Sequence, residues 1–171
     1  MGRRRRPQRQ RRGADAMSHV EITLEIKNRI EDVALVGTCI RNLARYHQLP
    51  EECCFEIELC VVEAVTNCVR HAYDADHDGL VRVRARFRRG PRPREHVLEV
   101  RVHDRGRAIP GCWAPRSGRF RFEEQGEFEE GGRGMFLIDS LMDDVCFHSD
   151  EEGNHLSMCK RLQMAAIEGE T

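Results

Sequence analysis

The sequence predicts an α/β fold, a layer of helices over a mixed, largely antiparallel sheet. Three observations predict it. Apolar residues alternate at period two in several separate stretches, and they recur at helical spacing in three others. Along the chain these periods run β-α-α-β-β, then a long irregular segment, then α-β-β. A chain of 171 residues has the size of a single domain. With 40% hydrophobic and 33% charged residues, it has an ordinary globular composition that excludes wholesale disorder. No run approaches the roughly 20 apolar residues of a membrane helix, and the arginine-rich start lacks the apolar stretch of a signal peptide. A soluble, cytoplasmic protein with no membrane partner is expected.

Residues 20–26 alternate apolar with polar and open the domain as a half-buried strand. Asn28 followed by Glu31 resembles a capping box. Val33, Val36, Ile40, Leu43 and Ala44 then carry a helix toward His47. Pro50 at a first-turn position, with Glu51 and Glu52 at the positive end of the dipole, starts a second, more apolar helix that runs to about Tyr73. Its core face is read as Leu59, Val62, Val65 and Val69. Val81, Val83, Ala85 and Phe87 alternate with four arginines, and Leu98, Val100 and Val102 with Glu99 and Arg101, so a hairpin with one wet face is expected around the Gly-Pro turn at 90–93. Interleaving at period two favours a solvated, ion-paired arginine row over a nucleic-acid patch. Residues 105–134 are glycine-rich with no sustained period, as in an active-site lid. A short helix from Met135 and strands over 145–148 and 154–162 close the domain.

The expected boundaries are a disordered Arg-rich arm over 1–17, the domain over 18–163 and a tail over 164–171. Residues 1–16 hold seven arginines and one aspartate, which leaves the rest of the chain acidic. Such an arm reads either as a binder of nucleic acid, which its lack of aromatic residues disfavours, or as an extension of the gene model ahead of Met17. The eight cysteines form no CxxC pair and lie mostly within apolar segments, which reads as free thiols in a reducing compartment.

Three pieces carry chemistry. Glu63 and Asn67 are one helical turn apart on nearly the same stripe, with Cys60, Ala64 and His71 beside them; a carboxylate and an amide on so apolar a helix need partners. Asp104 shares the parity of Leu98, Val100 and Val102, so it points where a core residue belongs, and Gly106 follows it. It reads as a turn cap or as an acceptor for a ligand's exocyclic amine. Gly132, Arg133 and Gly134 precede a helix start, where backbone donors and the dipole favour an anion, though a hinge would use the same glycines. The loop is neither a Walker A motif nor a dinucleotide fingerprint. The run Asp74, Asp76, Asp78, Gly79 begins like a calcium loop, but its twelfth position is Ala85 where a bidentate glutamate is required. A metal on His71 and His77 with these acids is the weaker account of a helix-ending acidic turn.

In order and spacing, residues 58–73, 100–110 and 131–143 resemble the N, G1 and G2 boxes of the GHKL superfamily of ATP-binding domains. The Glu63–Asn67–His71–Ala72–Tyr73 signature is most similar to anti-sigma regulatory serine kinases of the RsbW type. The resemblance implies a Bergerat two-layer sandwich and a serine/threonine kinase using ATP and Mg²⁺. Its implied partners are a sigma factor that it sequesters and an anti-anti-sigma factor of the STAS type, and it implies a homodimer. It implies Glu63 as the catalytic base, Asn67 as the Mg²⁺ ligand, Asp104 as acceptor of the adenine amine and Gly106 as room for the ring. Gly132, Arg133 and Gly134 would reach the phosphates. Two positions depart: Ala108 replaces the second G1 glycine, and Glu129-Glu130 stands where relatives often carry an arginine. Arg133, Arg119 or Arg121 could substitute; otherwise the reading becomes an ATP-binding, sigma-sequestering module without transfer.

Overall fold

A computed structural model of the protein describes residues 20–73, 78–92, 95–107 and 132–163. The order is β1 (Glu21–Lys27), α1 (Ile30–Tyr46), α2 (Glu51–Asn67), a π turn (Cys68–Ala72), β2 (Leu80–Arg89), β3 (Glu95–Asp104), α3 (Gly132–Leu141), β4 (Asp144–Asp150) and β5 (Gly153–Gln163). The strands form one sheet in the order β1-β2-β3-β5-β4. Every described pair is antiparallel, so the mixed character expected from the sequence is absent among these strands. Short connections make hairpins of β2–β3 and β4–β5, whereas β1–β2 and β3–β5 pair antiparallel across longer segments that carry the helices.

Helices cover one face of the sheet. Val33, Val36, Ile40 and Ala44 of α1 and Ile57, Cys60, Val61, Ala64 and Val65 of α2 are buried against Val81, Val83, Ala85 and Phe87 of β2 and Leu98, Val100 and Val102 of β3. Period two on the strands meets period 3.6 on the helices, and burial of this apolar surface is the main stabilising term. The α2 stripe differs from the expected one. Cys60 and Ala64 lie in the core, His71 is exposed, and Leu59, Val62 and Val69 are only half-buried. Val62 instead packs against α1 at Gly37.

Asn28 does not cap α1. Its backbone N–H donates to the Gly79 carbonyl at 3.0 Å, and its side-chain oxygen accepts from the Gly79 N–H at 3.0 Å, which ties the end of β1 to the entry of β2. The capping position falls on Arg29, which makes no side-chain cap bond. On α2, Pro50 stands at the N-cap position, one residue before the first turn expected for it, with no side-chain cap bond, and Glu51 and Glu52 occupy the first turn. Arg45 first, then Arg41, holds the Glu51 carboxyl down at about 2. These groups are solvent-exposed, so the pair adds little stability.

Among the described residues no helix covers the other face of the sheet, and the arginine row there is paired. Arg82 donates to Glu25 at 2.8 Å and Arg86 to Glu99 at 2.7 Å, while Arg101 also reaches Glu99. Burial pushes the Glu99 carboxyl up, but the Arg86 and Arg101 hydrogen bonds outweigh it and leave it below the usual carboxylate range.

At the C-terminal end of α1, His47 is 4% exposed and its ring lies 3.8 Å from that of Phe87. Its Nε2 has no hydrogen-bond partner among the described residues. Burial, and secondarily the nearby His96, lower its pKa. The unfolded chain therefore takes the proton first, so the stabilisation is complete above the ordinary imidazole range and is lost as pH falls through about 6.5 toward the folded value. Urea midpoints taken between about pH 7.5 and pH 5.5 should fall, with a shallower fall in His47→Leu. Equal slopes for the two proteins would assign the acid sensitivity to other groups.

Candidate functional site

The spine of the site is α2 with its π turn, and three distant parts of the chain touch it at successive points. The first contact involves Glu63. It is half-buried, and its carboxylate fills the space beside Gly134: a Cβ added there would stand 1.8 Å from Glu63 Oε1. Gly134 is in the first turn of α3, which begins at Gly132, earlier than the expected start at Met135. Gly132 and Gly134 therefore lie in the turn whose N–H groups have no intrahelical acceptor. Asn67, four residues beyond Glu63, is half-buried and ends α2.

The second contact is made by Asp104, which closes β3 on its core face and is 2% exposed. Its Oδ1 accepts from the Gly106 N–H at 2.8 Å and from Asn154 Nδ2 at 2.8 Å. The turn-cap reading therefore holds. Burial, followed by the charge of the Asp104 carboxylate, raises the pKa of the Cys68 thiol well above the usual thiol range. A carboxylate offers about four acceptor positions, so these two donors leave acceptor capacity on Asp104.

At the third contact Gly106 meets Ala72. A Cβ on Gly106 would stand 2.1 Å from the Ala72 carbonyl oxygen, and the Arg107 N–H donates to that oxygen at 2.7 Å. The glycine therefore lets the strand-end turn close on the helix, where the resemblance implied room for a ring. The wider π turn ends at Ala72, immediately before this contact; such turns recur at functional sites. Tyr73 secures the same turn: its hydroxyl accepts from the Arg105 N–H at 3.0 Å and donates to the Leu80 carbonyl at 2.8 Å.

Asn154 is the residue that sequence reasoning missed. Besides holding Asp104, its Nδ2 donates to the Arg107 carbonyl at 3.0 Å, and its oxygen accepts from the Ser149 hydroxyl at 2.6 Å. No local signal marks it, because only the β3–β5 register sets Asn154 opposite Asp104. Ala108, Arg119, Arg121, Glu129, Glu130, Asp74, Asp76, His77 and the 1–17 arm lie outside the described residues, as does the Arg133 side chain. A surface pocket of about 270 Å³ lined by Tyr73, Asp78, Leu80 and Arg105 among others contains none of the predicted site residues.

A carboxylate against a helix N-terminus, an amide one turn away and a buried aspartate at a glycine turn now stand together. Residues 26–160 match the family described as histidine kinase-like ATPase domain. The chain belongs to that family. Within the histidine kinase-like ATPases it is RsbW-like. It is 32% identical to the serine-protein kinase RsbW of Listeria innocua, over 90% of this chain and 94% of that one. It is 29% identical to the serine-protein kinase RsbW of Oceanobacillus iheyensis, over 72% of this chain and 76% of that one. With the anti-sigma F factor of Bacillus velezensis it shares 31% identity over 63% of this chain and 68% of the relative. Among the described residues, no helix of this histidine kinase-like ATPase is long and apolar enough to cross a membrane.

Proposed function

We propose that the protein is an ATP- and Mg²⁺-dependent serine/threonine kinase and anti-sigma factor. It sequesters a sigma factor, phosphorylates a STAS-type anti-anti-sigma partner and works as a homodimer in the cytoplasm. The observation that carries this reading is the seat of the Glu63 carboxylate against the first turn of α3 at Gly134. There an acceptor hydroxyl and main-chain N–H donors can be addressed from adjacent positions.

In this reading Asp104 accepts the exocyclic amine of the base through a free lone pair, and Asn154 and Gly106 hold it in place. The main chain at Gly132 and Gly134, with Arg133, reaches the phosphates. Asn67 offers a hard oxygen donor, which suits Mg²⁺, since that ion takes few protein ligands beside phosphate and water. ATP with Mg²⁺ supplies the phosphoryl group and the charge neutralisation. Glu63 orients the acceptor serine hydroxyl and takes its proton, as positioning and electrostatics dominate this reaction class.

Incubation with labelled ATP and a candidate STAS partner tests the proposal. Label on the partner's serine supports a kinase. A stoichiometric complex without label supports the non-catalytic module, the reading favoured by Glu129-Glu130 in place of an arginine. Asn67→Ala is expected to abolish Mg-ATP binding while preserving the melting curve, because the side chain lies outside the apolar core; calorimetry giving unchanged affinity would remove Asn67 from the site.

A further inference from the structure

Three histidines stand in one row on the open face of the sheet. His103 of β3 is opposite His155 of β5, and His155 is opposite His148 of β4. The rings stack in that order, 4.5 Å between the first two and 4.6 Å between the second two. Asp150, two residues beyond His148 on the same face of β4, places one carboxylate oxygen 3.3 Å from His155 Nε2 and the other 3.6 Å from His148 Nε2. The ligand atoms of His148, Asp150 and His155 all lie within 4.8 Å of one another.

We infer that His148, Asp150 and His155 form a binding site for a divalent transition-metal ion of the zinc class. Ligands about 2.0–2.2 Å from Zn²⁺ in tetrahedral geometry stand roughly 3.3 Å apart. The separations to Asp150 are near that value, though each runs to a different carboxylate oxygen, and rotation of the imidazole rings brings one atom of each residue, already within 4.8 Å, to that spacing. Two imidazoles with one carboxylate select zinc, nickel or cobalt over Mg²⁺ or Ca²⁺, which prefer oxygen donors. Three protein ligands leave a fourth position to water.

Apart from that turning of the rings, the ligands are held before any ion arrives. They sit on paired strands at the end of the β4–β5 hairpin, where the Glu152 N–H donates to Asp150 Oδ1 at 2.8 Å. His103 stacks on the outer side of His155, and its Nε2 lies 3.1 Å from the Glu152 carbonyl oxygen. Solvent reaches the site, since the side chains of His148 and Asp150 are 55% and 48% exposed. His103 and His155 adjoin Asp104 and Asn154 in sequence but point to the opposite face. The metal site is therefore back to back with the candidate nucleotide site and does not depend on that reading.

The test titrates the reduced full chain with Zn²⁺ in excess Mg²⁺ by calorimetry, and with Co²⁺ by absorption. One ion bound with micromolar affinity is expected, with a cobalt spectrum free of thiolate charge-transfer bands. Affinity should fall by about tenfold or more in the His148→Ala/His155→Ala double variant. Asp150→Asn retains the oxygen that accepts from Glu152, so it serves as the second variant should the double one fold poorly, and weaker binding is again expected. No binding to the unsubstituted chain, unchanged affinity in the variants or a thiolate spectrum would each overturn the inference.

Discussion

Glu63→Gln is expected to lower phosphoryl transfer to the acceptor serine by about 10²–10⁴-fold, the usual contribution of a positioned general base. The substitution keeps the length and shape of the side chain, so the contact with Gly134 and the fold should survive. What is lost is the proton acceptor. Nucleotide affinity, measured separately, should change little, because Asp104 and the main chain of α3 lie on other segments. A variant that transfers at the full rate would show that Glu63 takes no proton; a variant that loses nucleotide binding as well would make it a ligand to the nucleotide.

Gly153→Ala carries the largest expected effect on stability, about 3 kcal/mol. Gly153 has φ of +131°, a region that L side chains rarely adopt, and an added Cβ would stand 2.1 Å from the Asp104 carbonyl oxygen. Both faults sit in backbone, which has no rotamer to move away. For a chain of this length the loss corresponds to a drop in Tm of roughly 6–12 °C. Because Asn154 follows directly and holds Asp104 at 2.8 Å, the same variant should weaken nucleotide binding. A melt within a degree or two of the parent would show that the β3–β5 backbone relaxes easily.

Most of the fold was legible locally. Period-two and period-3.6 patterns located every described strand and α-helix, though not the π turn that ends the second helix, and alternation along β3 already placed Asp104 on the core face, where it is 2% exposed. Two local readings failed for one reason: Asn28 and the α2 stripe were assigned by their neighbours in sequence. Asn28 instead pairs with Gly79, 51 residues away, and the buried side of α2 is set by where the sheet lies beneath it. A cap motif or a helical stripe lists the residues available, while the partner that wins depends on what the rest of the chain brings near.

The candidate site divides in the same way. Spacing alone determined that Glu63 and Asn67 share a helix side, that Asp104 points inward before a glycine, and that glycines open the last helix, since each of these is a statement about one element. Only the tertiary structure decided that Gly134 abuts Glu63, that Gly106 closes on Ala72, that Asn154 braces Asp104, and that three histidines align with Asp150 on the reverse side. Those facts are cross-strand registers and helix-to-turn contacts between segments far apart in the chain. A residue's parity follows from its own strand, but the residue opposite it follows from the packing of the whole sheet.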